Sequence, residues 1–233
     1  MPTHSARART LILGALMLCS LLCGALLVAR VAHTGTSRYV FLVWNLFLAW
    51  LPLVAALALY DRAKRHAAWP GQLALGAAWL LTLPNAPYIV TDIIHLRPRD
   101  EAPLWFDALL IVSFAFAGVL LGLVSLYLVH VASRRAVGAA RAWVGVGSAL
   151  VLASFGIYLG RVERWNSWDV LAQPSSLLRD IAAPLADPFA HSKALVMTAV
   201  FAAFLACAYL VLYSFAEMAT AAGREASQPR SHS

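Results

Sequence analysis

At 233 residues, 61% hydrophobic and 12% charged, the chain lies outside the range of soluble globular domains, which carry roughly 25% charged residues. Its net charge of +7 does not point to nucleic acid, because the basic residues sit in short runs between apolar blocks and form no continuous patch. A mean hydropathy of +0.73 and the length of those blocks point to a membrane, where a helical span takes about 20 apolar residues.

In chain order, the apolar blocks predict six spans: 11–29, 39–60, 69–95 with a break at 84–87, 104–131, 143–160 and 194–215. The first follows Arg7 and Arg9. Its apolar run is longer than the 7–15 residues of a signal-peptide core, so it reads as a retained span. The expected fold is therefore all-α and polytopic, a single transmembrane domain over 1–220 with short interfacial helices on the outer face. Residues 221–233 read as a disordered cytoplasmic tail. Cys19, Cys23 and Cys207 all lie in apolar blocks, and Cys19 and Cys23 have neither CxxC nor zinc spacing.

Orientation follows from the Lys and Arg distribution. With the N-terminus inside, ten of the 18 basic residues face the cytoplasm. The compact clusters Arg62-Ala63-Lys64-Arg65 and Arg134-Arg135 lie in short loops, where the positive-inside rule is strongest. Both termini are expected in the cytoplasm and the location in a bacterial plasma membrane. Most acidic residues fall on the opposite side, and no ionisable group is read in the centre of a span.

The third block is interrupted at Leu83-Pro84-Asn85-Ala86-Pro87-Tyr88. Each proline removes a backbone donor and disfavours helix in the residue before it. Such backbone at membrane depth needs shelter in protein or a wet cavity, and Asn85 is placed to satisfy the freed groups. After the break, Tyr88 to His95 reads as a short amphipathic helix, with Tyr88, Thr91, Asp92 and His95 within an arc of about 100°. That face admits an acid–base pair (Asp92, His95), half of a divalent-metal site, or a solute-lining stripe; two ligands at i, i+3 are a weak metal signal. Equally, it admits a plain interfacial helix whose polar face pairs with arginines.

The second polar string is Gly160-Arg161-Val162-Glu163-Arg164-Trp165-Asn166-Ser167-Trp168-Asp169. It reads either as an aromatic belt with snorkelling arginines or as part of a site. Complementary charge at one depth predicts that Asp92 or Asp107 meets Arg161 or Arg164. Asn45 reads as a bridge between helices, Asp107 as a helix-start residue, and Gly118 and Gly122 as a small-residue packing face. Between Pro174 and Asp187, Ser175 or Ser176 is placed to cap a surface helix carrying Leu177, Leu178 and Ile181.

Together, Trp44 to Pro52, Leu83 to His95, Trp105-Phe106-Asp107 and Gly160 to Asp169 carry a resemblance. The chain resembles the uncharacterised bacterial multi-pass membrane proteins called domain of unknown function 1361, over roughly residues 38–215. The resemblance implies a membrane location and no reaction. The expected function is binding of an anionic or lipid-linked small molecule in an outward-facing polar pocket near the outer leaflet. A membrane-embedded enzyme on lipid or envelope precursors and a small-solute transporter are the alternatives. Asn85, Tyr88, Asp92, His95, Asp107, Arg161, Arg164, Asn166 and Asp169 are the expected binding residues, and Asp92, His95 and Glu163 the catalytic candidates. No cofactor is evident beyond the weakly supported metal. The expected partners are the bilayer and an anionic lipid or lipid-linked ligand.

Overall fold

A helix that is apolar all round has no face to give to water, and must lie in a core or in lipid. The computed structural model describes residues 4–65, 68–98 and 101–227, and all their elements are helical. They are α1 (His4–Thr34), α2 (Phe41–Lys64), α3 (Trp69–Thr82), α4 (Asn85–Tyr88), a 3₁₀ segment (Ile89–His95), α5 (Leu104–Val137), α6 (Ala139–Arg161), α7 (Asp169–Ala172), α8 (Pro174–Ala186) and α9 (Ser192–Ser227). Six stretches are long and apolar enough to cross a membrane: α1, α2, the run from α3 through the 3₁₀ segment, α5, α6 and α9. The protein is a multi-pass α-helical membrane protein, as the apolar blocks predict.

Packing centres on α5. Helices α1, α2 and α6 lie against it together with α4 and the 3₁₀ segment, while α3 packs on α2 and α9 on α6. Leu42, Ala49 and Leu53 of α2 meet Leu110, Phe114 and Leu121 of α5 in one fully buried core. Leu18, Leu21 and Val28 of α1 and Val196, Val200 and Phe204 of α9 are exposed, as surfaces that face lipid should be. Gly138 ends α5 and starts α6 at φ 87°, a backbone state that glycine alone adopts readily.

Several boundaries differ from the sequence reading. Helix α1 continues past Ala29 to Thr34, which places Arg30 within a helix instead of beyond it. Helix α9 continues to Ser227, so the tail expected from 221 is helical that far; residues 228–233 lie outside the described residues, as do Arg99 and Asp100. Helix α8 starts on Pro174 with Gln173 before it and no side-chain cap, so neither Ser175 nor Ser176 caps it. The third crossing is the most altered. Its 14-residue first helix covers only about 21 Å, and the remaining path is α4 and the 3₁₀ segment.

Candidate functional site

The interruption at 83–88 is a seated element. Leu83 and Pro84 keep right-handed helical dihedrals, so the chain does not bend away but loses hydrogen bonds where the prolines stand. Two glycine pairs make room for it. A Cβ on Gly118 of α5 would lie 2.4 Å from the Ala86 carbonyl oxygen, and one on Gly156 of α6 would lie 2.5 Å from Pro84 Cγ. One turn on, Gly122 faces Ala86 and Gly160 faces the Tyr88 ring. The Gly118–Gly122 packing face is thus used, and a second one, Gly156–Gly160, went unread. Asn85 does not itself take the freed backbone. Ser167 donates to the Leu81 carbonyl at 3.1 Å, and Asn85 Nδ2 donates to Ser167 Oγ at 3.2 Å.

After α4 the chain tightens into a 3₁₀ segment of seven residues, longer than the three or four such helices usually sustain. Side-chain bonds hold it. Asp92, 1% exposed, takes Arg161 Nη2 on Oδ1 and Asn45 Nδ2, at 2.8 Å, on Oδ2. Arg161 Nε also donates to Thr91 Oγ1 at 2.7 Å, and its guanidinium lies 4.4 Å from the Tyr88 ring centre. The expected meeting of the two strings therefore occurs between Asp92 and Arg161, and Asn45 is the bridge between helices.

Asp107 lies in a different cluster. It is buried and accepts from Arg30 Nε at 2.7 Å and Nη2 at 3.2 Å, the two-pronged geometry that suits a guanidinium and a carboxylate. The Tyr39 hydroxyl lies 3.2 Å from Asp107 Oδ2 and 3.4 Å from the His95 carbonyl, both acceptors. Arg30 Nη1 donates to Thr36 Oγ1 at 2.8 Å, and Glu101 lies 3.9 Å from Arg30 and 3.6 Å from Arg38. Asp107 is therefore the anchor of α1 on α5, and pairs with neither Arg161 nor Arg164. Arg30 is 1% exposed; as a basic residue after an apolar run it reads like a topological flank, which is why it was missed.

The remaining expected residues are dispersed. His95 is exposed, its ring edge-on to Phe41 at 5.1 Å. Glu163 is exposed and accepts from the Tyr158 hydroxyl at 2.7 Å. Arg164 is exposed in a left-handed conformation, φ 63°, with no hydrogen-bond or ion-pair partner among the described residues. Asp169 Oδ2 accepts from the Asn166 backbone at 2.7 Å and from its side chain at 3.3 Å, which closes the turn 166–169. Among the described residues no three His, Cys, Asp or Glu side chains are grouped to hold a metal, and both Asp92 oxygens already have partners.

Beside these clusters is a cavity of about 490 Å³, within the size range of small-molecule sites. It lies between α2 (Trp44, Asn45, Leu48), α3 (Ala77, Leu80, Leu81) and α6 (Leu152, Phe155, Leu159). Trp165 to Trp168, Leu177 and Ile181 of α8, Asn85 and Tyr88 line it as well. Trp165 Nε1 donates to Asp180 at 2.9 Å, which ties the turn to α8. Trp44, Leu152 and Trp168 are each about half exposed, so the rim is apolar and lies on the flank of the bundle. Of the expected binding residues only Asn85, Tyr88 and Asn166 line it; Ser167, Trp44 and Asn45 were missed as lining residues.

The opposite end of the bundle holds a polar group absent from the sequence reading. His130 is buried against Trp143 and Tyr213, with Nδ1 2.7 Å from the Tyr209 hydroxyl and, among the described residues, no partner on Nε2. Arg134 Nη1 donates to the Tyr213 hydroxyl at 2.8 Å and to Glu217 at 3.2 Å. The fourth span was expected to end at 131, which put His130 at its edge; α5 runs on to Val137 and carries it inside.

No curated protein and no solved structure matches the chain. A family model described as a protein of unknown function, DUF1361, matches residues 44–208. That stretch takes in Asn45, the seated break, both strings and the whole cavity lining, and leaves out Arg30. With most of its length covered by this match, the chain belongs to the DUF1361 family of proteins of unknown function.

Proposed function

We propose that this protein binds a lipid-anchored small molecule, drawn from the bilayer through the flank of the bundle and held in the cavity between α2, α3 and α6. The carrying observation is a cavity of about 490 Å³ lined mostly by apolar side chains, with Trp44, Leu152 and Trp168 about half exposed and with Asn45, Asn85, Tyr88, Asn166 and Ser167 among its lining. An acyl or polyprenyl chain suits the apolar lining, and a polar head suits the amides and hydroxyls beside the 165–168 turn. The Lys and Arg distribution supports an orientation with both termini in the cytoplasm, and in that orientation the cavity would belong to the outer leaflet.

Ala77, exposed at the mouth on α3, offers the direct test. Ala77→Trp should narrow the entrance without touching the ion pairs. Native mass spectrometry of protein released from lipid nanodiscs should find one retained lipid on the wild type and none on the variant, at unchanged melting temperature. Equal retention by the two proteins would refute the reading.

A further inference from the structure

We infer that the head selected by this cavity is uncharged and rich in hydroxyls, the glycosyl or similar polyol head of a lipid; this rests on the lipid-binding reading above. The first observation is electrostatic. The chain carries a net charge of +7, yet among the described residues no Lys, Arg, His, Asp or Glu lines the cavity. Arg161, whose guanidinium lies 4.4 Å from the ring centre of Tyr88, already pairs with Asp92 and Thr91, and Arg164, exposed next to Trp165, does not line the space. A phosphate or carboxylate entering here would lose its water and gain no cation, which strongly disfavours it.

The second observation concerns hydrogen-bond polarity. Asn45, Asn85 and Asn166 each direct the side-chain N–H₂ to a neighbour: Asp92, Ser167 and Asp169. Each uses one N–H in that bond and is left with its second N–H and an amide oxygen that has no donor among the described residues. A hydroxyl, which both donates and accepts, can satisfy both. Phosphate and carboxylate oxygens only accept, so they would leave the three amide oxygens without a donor. The Tyr88 hydroxyl and the indole N–H groups of Trp44 and Trp168 add donors without a hydrogen-bond partner among the described residues.

The third observation is shape. Trp44, Trp165 and Trp168 line the cavity together with Asn45, Asn85 and Asn166, and indoles combine a broad apolar face with one N–H. A sugar ring presents apolar C–H faces and hydroxyl edges, which such a mixture of indoles and amides complements. Neither a bare acyl chain nor a zwitterionic head uses both.

The test uses full-length protein, purified without glycosidic detergent, in phosphatidylcholine nanodiscs doped with equal amounts of monoglucosyl diacylglycerol and phosphatidylglycerol of the same chains. Native mass spectrometry should find the glucosyl lipid retained at least about tenfold over phosphatidylglycerol, the factor one lost hydrogen-bonding partner sets. Asn166→Ala and Trp168→Leu, both at exposed positions, should abolish that preference while a lipid is still retained. Equal retention of the two lipids, or preference for phosphatidylglycerol, would overturn the head assignment and leave lipid binding standing. Retention of neither would overturn the lipid-binding reading itself. Free methyl glucoside at millimolar concentration should not displace the glucosyl lipid; displacement would overturn the lipid-anchored assignment in favour of a soluble sugar.

Discussion

The charged clusters and the cavity share α2, the third crossing and α6, but they are built on opposite rules. Around Asp92 and Asp107 every carboxylate oxygen meets a donor, and the arginines are buried or partly buried against aromatic rings. Around the cavity every lining residue among those described is neutral. Buried ions left without partners are very costly at membrane depth, so paired ions there are fit to hold helices in place. Neutral amides and indoles can stand open to a ligand without such a penalty. The comparison separates the residues that frame the site from those that would bind.

The sharpest way to break this division is at Arg30. Arg30→Leu leaves Asp107 buried beside a tyrosine with no cation; loss of one member of a buried pair costs about 3–5 kcal/mol. That is a large share of a marginal stability of about 5–15 kcal/mol, and membrane abundance of the variant should fall sharply. Normal abundance and an unchanged melting temperature would mean that the pair does not anchor α1.

A smaller effect is expected where the frame meets the break. Gly118→Ala sets a methyl 2.4 Å from the Ala86 carbonyl oxygen; since backbone cannot easily yield, the cost should be about 1–3 kcal/mol. Gly14, with nothing within 4 Å of its Cβ position, is the control, and Gly14→Ala should not destabilise. Thermal melts of the two variants in one detergent check this, and equal melting points would remove the seating role of Gly118.

The smallest effect is expected at Arg164, which frames and lines nothing. Its φ of 63° is disfavoured for any residue with a Cβ by about 1–2 kcal/mol, while glycine gives back about 0.5–1 kcal/mol through the unfolded chain. Arg164→Gly should therefore be neutral to slightly stabilising in the same melts, with lipid retention unchanged. A loss of stability would show that the side chain has a structural task.

What was legible in the sequence follows from which physical signals are one-dimensional. Span number and type come from run length, which the bilayer thickness fixes. The Asp92–Arg161 contact was legible because both residues sit in polar strings at the same end of adjacent crossings. Arg30–Asp107 was not, because it depends on α1 staying helical for one more turn, to Thr34, and nothing in Val31-Ala32-His33 announces that. The cavity was legible only at its edge. Trp and Asn near a span end read as an interfacial belt until tertiary packing sets Trp44 and Trp168 around one space. The 3₁₀ winding of 89–95 also escaped periodicity, since it is held by Arg161, Asn45 and Tyr39 from other parts of the chain.

The most direct test of the division between frame and binding surface places Asp92→Asn beside Ala77→Trp. Melting temperature and retained lipid would be read on each protein in the same nanodiscs, well below both melting points. Asp92→Asn should melt markedly lower and, while folded, still retain lipid; Ala77→Trp should melt like the wild type and retain none. The reverse pattern, an intact melting point with lipid lost in Asp92→Asn and lipid kept in Ala77→Trp, would contradict the account and move the working chemistry to the carboxylate.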